Sequence, residues 1–106
     1  MLSSISTVEL PSIFAFALGN MGVIYRETGR LQETNDAHNR ALELYRRIGD
    51  TVNGAIKQQL LGMLSATRGH RTDAISSLKD AIAVFQKHGV QDRVRAVERL
   101  LRNLGA

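Results

Sequence analysis

MGVIYRETGRLQETNDAHNRALELYRRIGD (residues 21–50) and LGMLSATRGHRTDAISSLKDAIAVFQKHGV (residues 61–90) are two versions of one pattern, offset by 40 positions. Gly22 falls on Gly62, Gly29 on Gly69 and Gly49 on Gly89. Between these marks Ala41 falls on Ala81, Leu42 on Ile82, Leu44 on Val84 and Tyr45 on Phe85. A fixed period in this range is the mark of a repeat architecture, in which each unit is one supersecondary element stacked on its neighbours.

Inside each unit the apolar residues recur at three- and four-residue steps, the period of a helix. Pro11 suits the first turn of a helix, where its missing N–H costs nothing. Beyond it Ile13, Phe14, Ala17, Leu18, Met21, Ile24 and Tyr25 form the expected inner stripe, and Gly29 ends the helix. A second helix is predicted over 31–48, with Leu31, Thr34, Ala37, His38, Ala41, Leu42, Tyr45 and Ile48 inward. A third is predicted over 52–68, opened by a cap at Asp50 or Thr51, and carries Ile56, Leu60, Leu61, Met63 and Leu64. The fourth, 71–88, carries Ala74, Ile75, Leu78, Ala81, Ile82 and Phe85. In a fifth, Asp92 is the expected cap and Val94, Val97, Leu101 and Leu104 the stripe. Connections this short make successive helices antiparallel. No useful length of chain alternates with a period of two, so the expected fold class is all-α.

The totals agree with a small soluble domain. At 106 residues the chain forms one domain at most, large enough to bury a core without disulfides. There is no cysteine, which excludes disulfides, thiolate nucleophiles and cysteine-bound metal. The N-terminal stretch is apolar in part. No Lys or Arg precedes Arg26, however, so the basic region of a signal peptide is missing and a cytoplasmic protein is expected. No apolar run approaches the roughly 20 residues needed to cross a bilayer, so no membrane association is expected. The formal charge of +4 is a modest excess, with both signs interspersed.

Helix–turn–helix units with these residues resemble tetratricopeptide repeats. Small residues stand where helices cross: Gly22 and Ala41 in one unit, Gly62, Ala74 and Ala81 in the other. Large residues stand beside them at Leu18, Met21, Tyr25 and Leu61, and the turns read Gly29-Arg30 and Gly69-His70. The 40-residue period is similar to the longer form found in kinesin light chains, cell-polarity adaptors and bacterial signalling ATPases and regulators. The resemblance covers residues 12–89. It implies an α-solenoid of two units, 11–50 and 51–90, after a flexible lead-in over 1–10. A capping helix over 91–106 follows, in which Leu60, Leu61 and Leu64 recur as Leu100, Leu101 and Leu104. Departures from the pattern are Thr34 opposite Ala74, His38 opposite Leu78, and Gln58 and Ser65 in place of Leu18 and Tyr25. Two units are fewer than the three that stable arrays generally need. The expectation is therefore either self-association or membership of a longer array.

No catalytic constellation emerges, and the chain is read as a non-enzyme with no cofactor or metal. His38, His70 and His88 share no one-turn spacing. Asp73 and Asp80 share a face two turns apart, in a solvated setting beside Lys79. Gly19 and Gly22 lie inside a helical pattern rather than in a phosphate-binding loop.

In tetratricopeptide arrays the first helix of each unit lines a concave groove. By this resemblance the partner-binding residues are Phe16, Asn20, Val23 and Glu27, with Ile56, Gln59, Leu60 and Met63. The family's clamp for a C-terminal carboxylate is not expected, because Gly19 and Val23 occupy positions where Lys and Asn are needed. The implied function is protein–protein interaction: an apolar groove taking a partner helix or peptide, or a second copy of the chain as a homodimer. The alternative is a regulatory domain whose last helix meets nucleic acid or an acidic partner through Arg95, Arg99 and Arg102. Nucleic acid is disfavoured, since Glu98 interrupts the patch and no aromatic residue is interleaved for stacking.

Overall fold

The computed structural model describes residues 9–106. These form five helices: α1 (Glu9–Glu27), α2 (Leu31–Arg47), α3 (Thr51–Thr67), α4 (Arg71–Lys87) and α5 (Gln91–Asn103). No strand occurs among the described residues. The predicted boundaries hold to within one residue at both ends of α2, α3 and α4. Helix α1 begins at Glu9, so Glu9 and Leu10 are helical, and the remainder of the expected lead-in lies outside the described residues.

Each helix ends in the same pair of backbone hydrogen bonds. After α1, the N–H of Gly29 bonds to the carbonyl of Arg26 and the N–H of Arg30 to that of Tyr25. The same pair of bonds closes α2 at Gly49 and Asp50, α3 at Gly69 and His70, α4 at Gly89 and Val90, and α5 at Gly105 and Ala106. This Schellman arrangement satisfies carbonyls that a helix end leaves open, and it requires a left-handed residue. Gly29 and its four counterparts supply it, with φ between 70° and 79°.

Starts differ more. Helix α3 is capped as expected by Asp50, whose carboxylate accepts from the Asn53 N–H at 3.2 Å and from the Asn53 side-chain amide at 2.7 Å. Asp92 is not the cap of α5. Val90 holds that position without a side-chain bond, and Asp92 falls in the first turn, where it pairs with Arg95 at 2.6 Å. The Gly-to-next-helix turn is two residues shorter than a side-chain cap at Asp92 needs. Its acidic charge still favours the helix N-terminus through the macrodipole.

The chain divides after Gly54 into two compact units. In the first, α1 packs on α2 around Ala15, Ala41 and Tyr45, with Leu18, Leu44 and Ile48 against them. Burial, reinforced by the charge of Asp50, raises the Tyr45 hydroxyl above its ordinary pKa. Thr34 and His38 are both buried, in register with the buried Ala74 and Leu78 forty positions on. The Thr34 hydroxyl is satisfied by the Arg30 carbonyl at 2.8 Å. In the second unit α4 buries Ala74, Leu78, Ala81 and Phe85, and α5 buries Val94 and Val97. Arg71 ties the unit together by donating from Nε to the Leu104 carbonyl at 2.7 Å, at the end of α5.

Candidate protein-interaction surface

Helix α1 is where the structure departs most from the expected packing. Its buried residues are Ala15, Gly19 and Gly22. At Gly22 the missing side chain makes room for the His38 ring of α2, so contact with α2 is made by the side of α1 that carries least apolar bulk. Ile13, Phe14, Met21 and Ile24, expected on the inner stripe, are exposed instead, while Leu18 and Tyr25 are half-buried. Every large hydrophobic residue strongly exposed among the described residues belongs to this one helix: Leu10, Ile13, Phe14, Phe16, Met21, Val23 and Ile24.

These side chains fall into two groups. Leu10, Ile13, Phe14, Ala17, Met21 and Ile24 occupy the face of α1 turned away from Ala15, Gly19 and Gly22, as steps of 100° per residue require. Phe16, Asn20, Val23 and Glu27 follow one edge at steps of four, three and four, and all are exposed, Phe16 at 66 %. No charged residue lies between Glu9 and Arg26. A soluble helix ordinarily carries a polar face opposite its buried one; α1 has none. Beside the outer face runs a shallow cleft of about 210 Å³, floored by Leu18, Met21 and Tyr25 of α1 and Ala37 of α2, with Arg40 at its rim.

The remaining expected groove residues lie on α3. Ile56, Leu60 and Met63 are half-buried. Gln59 is a different matter. It is buried, and its Oε1 accepts from Arg93 Nη1 at 3.1 Å, so its amide holds α5 and is not offered to a partner. The expected basic patch of Arg95, Arg99 and Arg102 is exposed on α5, where Arg95 also forms a solvent-exposed ion pair with Asp92 at 2.6 Å. Three arginines with Glu98 among them are a weak footprint for phosphate. No grouping of His, Asp and Glu suited to a metal ion occurs among the described residues, and none of their helices is long and apolar enough to cross a membrane.

Comparison of the two units shows how the outer face of α1 could have been found in the sequence. Forty positions after Ile13 and Ala17 stand Asn53 and Lys57, so α3 has polar residues where α1 has apolar ones. Forty positions after Met21 and Ile24 stand Leu61 and Leu64, which are 8 % and 6 % exposed against 43 % and 58 % for their counterparts on α1. The same repeat position is covered in one helix and bare in the other.

Antiparallel helix pairs repeating every 40 residues, closed by glycine turns and crossing at small residues, define a helical-repeat protein. A family model described as tetratricopeptide repeat matches residues 14–87, and the chain belongs to that family. No curated protein and no solved structure matches it. Repeats of this family are generally protein–protein interaction modules and are typically non-enzymatic scaffolds.

Proposed function

We propose that the protein works by binding another protein chain through the apolar surface of α1, and that α2, packed against it in the first unit, is the support for that helix. The observation that carries this reading is the gathering on one helix, uncharged between Glu9 and Arg26, of all the large, strongly exposed apolar side chains among the described residues. Monomeric proteins rarely expose contiguous apolar patches larger than a few hundred Å², and larger ones mark interaction sites. The groove edge read from the sequence, Phe16 and Val23 with Asn20 and Glu27, supports the same role on the same helix. A partner helix presenting anchors at one-turn spacing is the ligand such a surface suits.

The test is site-specific photocrosslinking in the cells that make the protein. A photoreactive residue at Ile13 or Phe16 should yield discrete protein adducts, whereas the same residue at Asp80, on the exposed side of α4, should yield none. Absence of adducts from both α1 positions would overturn the reading.

A further inference from the structure

We infer that the outer face of α1 is covered by the same face of a second copy, the two α1 helices running antiparallel about a twofold axis at Ala17. This rests on the interaction role proposed for α1 and names the partner. The central stripe of the face is symmetric about that residue, while Phe14, off the stripe, falls opposite Asn20 of the other copy. Ile13 and Met21 stand four positions to either side of Ala17, and Leu10 and Ile24 stand seven positions to either side. These steps of three, four, four and three keep all five on one stripe of a helix. Under the twofold, Leu10 meets Ile24 of the other copy and Ile13 meets its Met21. Ala17 at the centre is small enough for the backbones to close together, and Phe14 flanks the seam.

An isologous interface must be complementary to itself, residue for residue, under its own symmetry operation. This stripe meets that condition. Between Leu10 and Tyr25 α1 itself carries no charge, and Glu33, Asp36 and Arg40 of α2 line only the cleft beside it, so the stripe offers a partner apolar contact alone. The direction of pairing also follows. Parallel helices would set Glu9 against Glu9 and align the two helix dipoles, and antiparallel helices avoid both. With about half the surface of five large side chains exposed on each copy, the pair would remove roughly 1,000 Å² from water, near the lower bound for a specific interface. The dimer is therefore expected to dissociate on dilution.

Absence of cysteine makes the geometry directly testable, since each introduced thiol is unique. The first measurement is mass by sedimentation equilibrium across a range of concentrations, for the wild-type chain and for Met21→Glu. Doubling of the mass with concentration in the wild type, and a monomer of unchanged helix content for Met21→Glu, are expected. The second is oxidation of single-cysteine variants that retain native helix content. Ala17→Cys should form a disulfide dimer. Ile13→Cys and Met21→Cys should do so when mixed and not separately, because like positions lie about 12 Å apart along antiparallel helices, beyond the ~7 Å limit for a bridge.

A folded wild-type monomer at all concentrations would overturn the dimer. A dimer in which Ile13→Cys and Met21→Cys each crosslink to themselves would overturn the antiparallel axis. Mass that grows without limit would indicate head-to-tail stacking and overturn it too. A monomer whose Ile13 photoproduct contains a different protein would overturn the homodimer while leaving the interaction role intact. A monomer giving no photoproduct would remove both.

Discussion

The His38 ring lies so close over Gly22 that a Cβ at residue 22 would stand 2.6 Å from its Cε1 and 2.9 Å from both ring nitrogens. Forty positions on, Leu78 bears on Gly62 in the same way, with its Cγ 2.9 Å from where a Cβ would be. A glycine on the first helix of each unit thus receives a large, fully buried side chain from the second. The contact is kept although its chemistry has changed from aliphatic to imidazole. What the repeat preserves here is volume and proximity.

Substitution of these glycines separates crowding from helix propensity. Alanine is favoured over glycine in a helix by roughly 0.5–1 kcal/mol, whereas overpacking a tight contact costs about 1–3 kcal/mol. At Gly62 the obstruction includes the Ala74 carbonyl at 3.3 Å, a backbone atom that cannot swing aside. Gly62→Ala is therefore expected to lose about 1–2 kcal/mol net. At Gly54 the nearest atoms, Leu42 Cδ1 and Tyr45 Cβ, lie at ordinary distances of 3.5 and 3.8 Å. Gly54→Ala should gain about 0.5–1 kcal/mol. Urea denaturation followed by circular dichroism gives both signs, and equal effects at the two sites would contradict the packing described.

Gly22 and His38 should also be coupled. His38→Ala leaves a buried cavity and should cost roughly 2–3 kcal/mol, while Gly22→Ala alone drives a methyl into the imidazole. In the double variant the new methyl enters the space the ring has left. The combined loss should fall short of the sum by about 1 kcal/mol or more, as contacting sites generally do. Strict additivity in a double-mutant cycle would mean that the two residues do not bear on each other.

Arg93 joins α5 to the rest of the second unit by two contacts at once. Its guanidinium donates to Gln59 Oε1 and lies over the Phe85 ring, 5.8 Å from the centroid. Arg93→Ala strands a buried amide oxygen and removes the cation from the ring, a loss of about 1–2 kcal/mol. Arg93→Lys should restore only part, because an ammonium lacks the planar fork that serves both contacts. Chemical denaturation of the two variants checks this, and full recovery by lysine would reduce the role to charge alone.

Much of this fold was legible before any coordinate. Gly29, read as a helix stop, is one, as are Gly49, Gly69 and Gly89, and Thr34 and His38, placed inward by register alone, are buried. The orientation of α1 was not legible, for a physical reason. Periodicity weighs large apolar side chains, and on α2 and α4 those point inward because charges occupy the other side. Between Glu9 and Arg26 α1 has no charge to mark an outer side, and the close contact with α2 is made by Ala15, Gly19 and Gly22, which carry little hydrophobic signal. Gln59 was misplaced because a polar residue among Ile56, Leu60 and Met63 reads as surface, and its partner Arg93 lies 34 positions away. Long-range pairing of that kind leaves no periodic trace.

Lys57 offers a test by pH. Burial holds its ammonium below the ordinary lysine pKa of 10.5, and the nearby positive charge of Arg93 pushes in the same direction. The unfolded chain therefore keeps this proton to higher pH than the folded one, so at neutral pH the charged side chain opposes folding. That opposition is complete below the folded pKa. It fades as pH rises through that value and is gone above 10.5. Lys57→Met keeps the length of the side chain and removes the charge. It should be more stable than the wild type at pH 7, with an advantage that narrows as the pH approaches 10.5. Tyr45 acts in the opposite sense: its raised pKa gives stability that is present below pH 10 and lost above. Because Tyr45 is common to both proteins, its contribution cancels in the difference between their unfolding free energies. A gap that stayed constant from pH 7 to 10.5 would show that Lys57 ionises alike in the folded and unfolded chain.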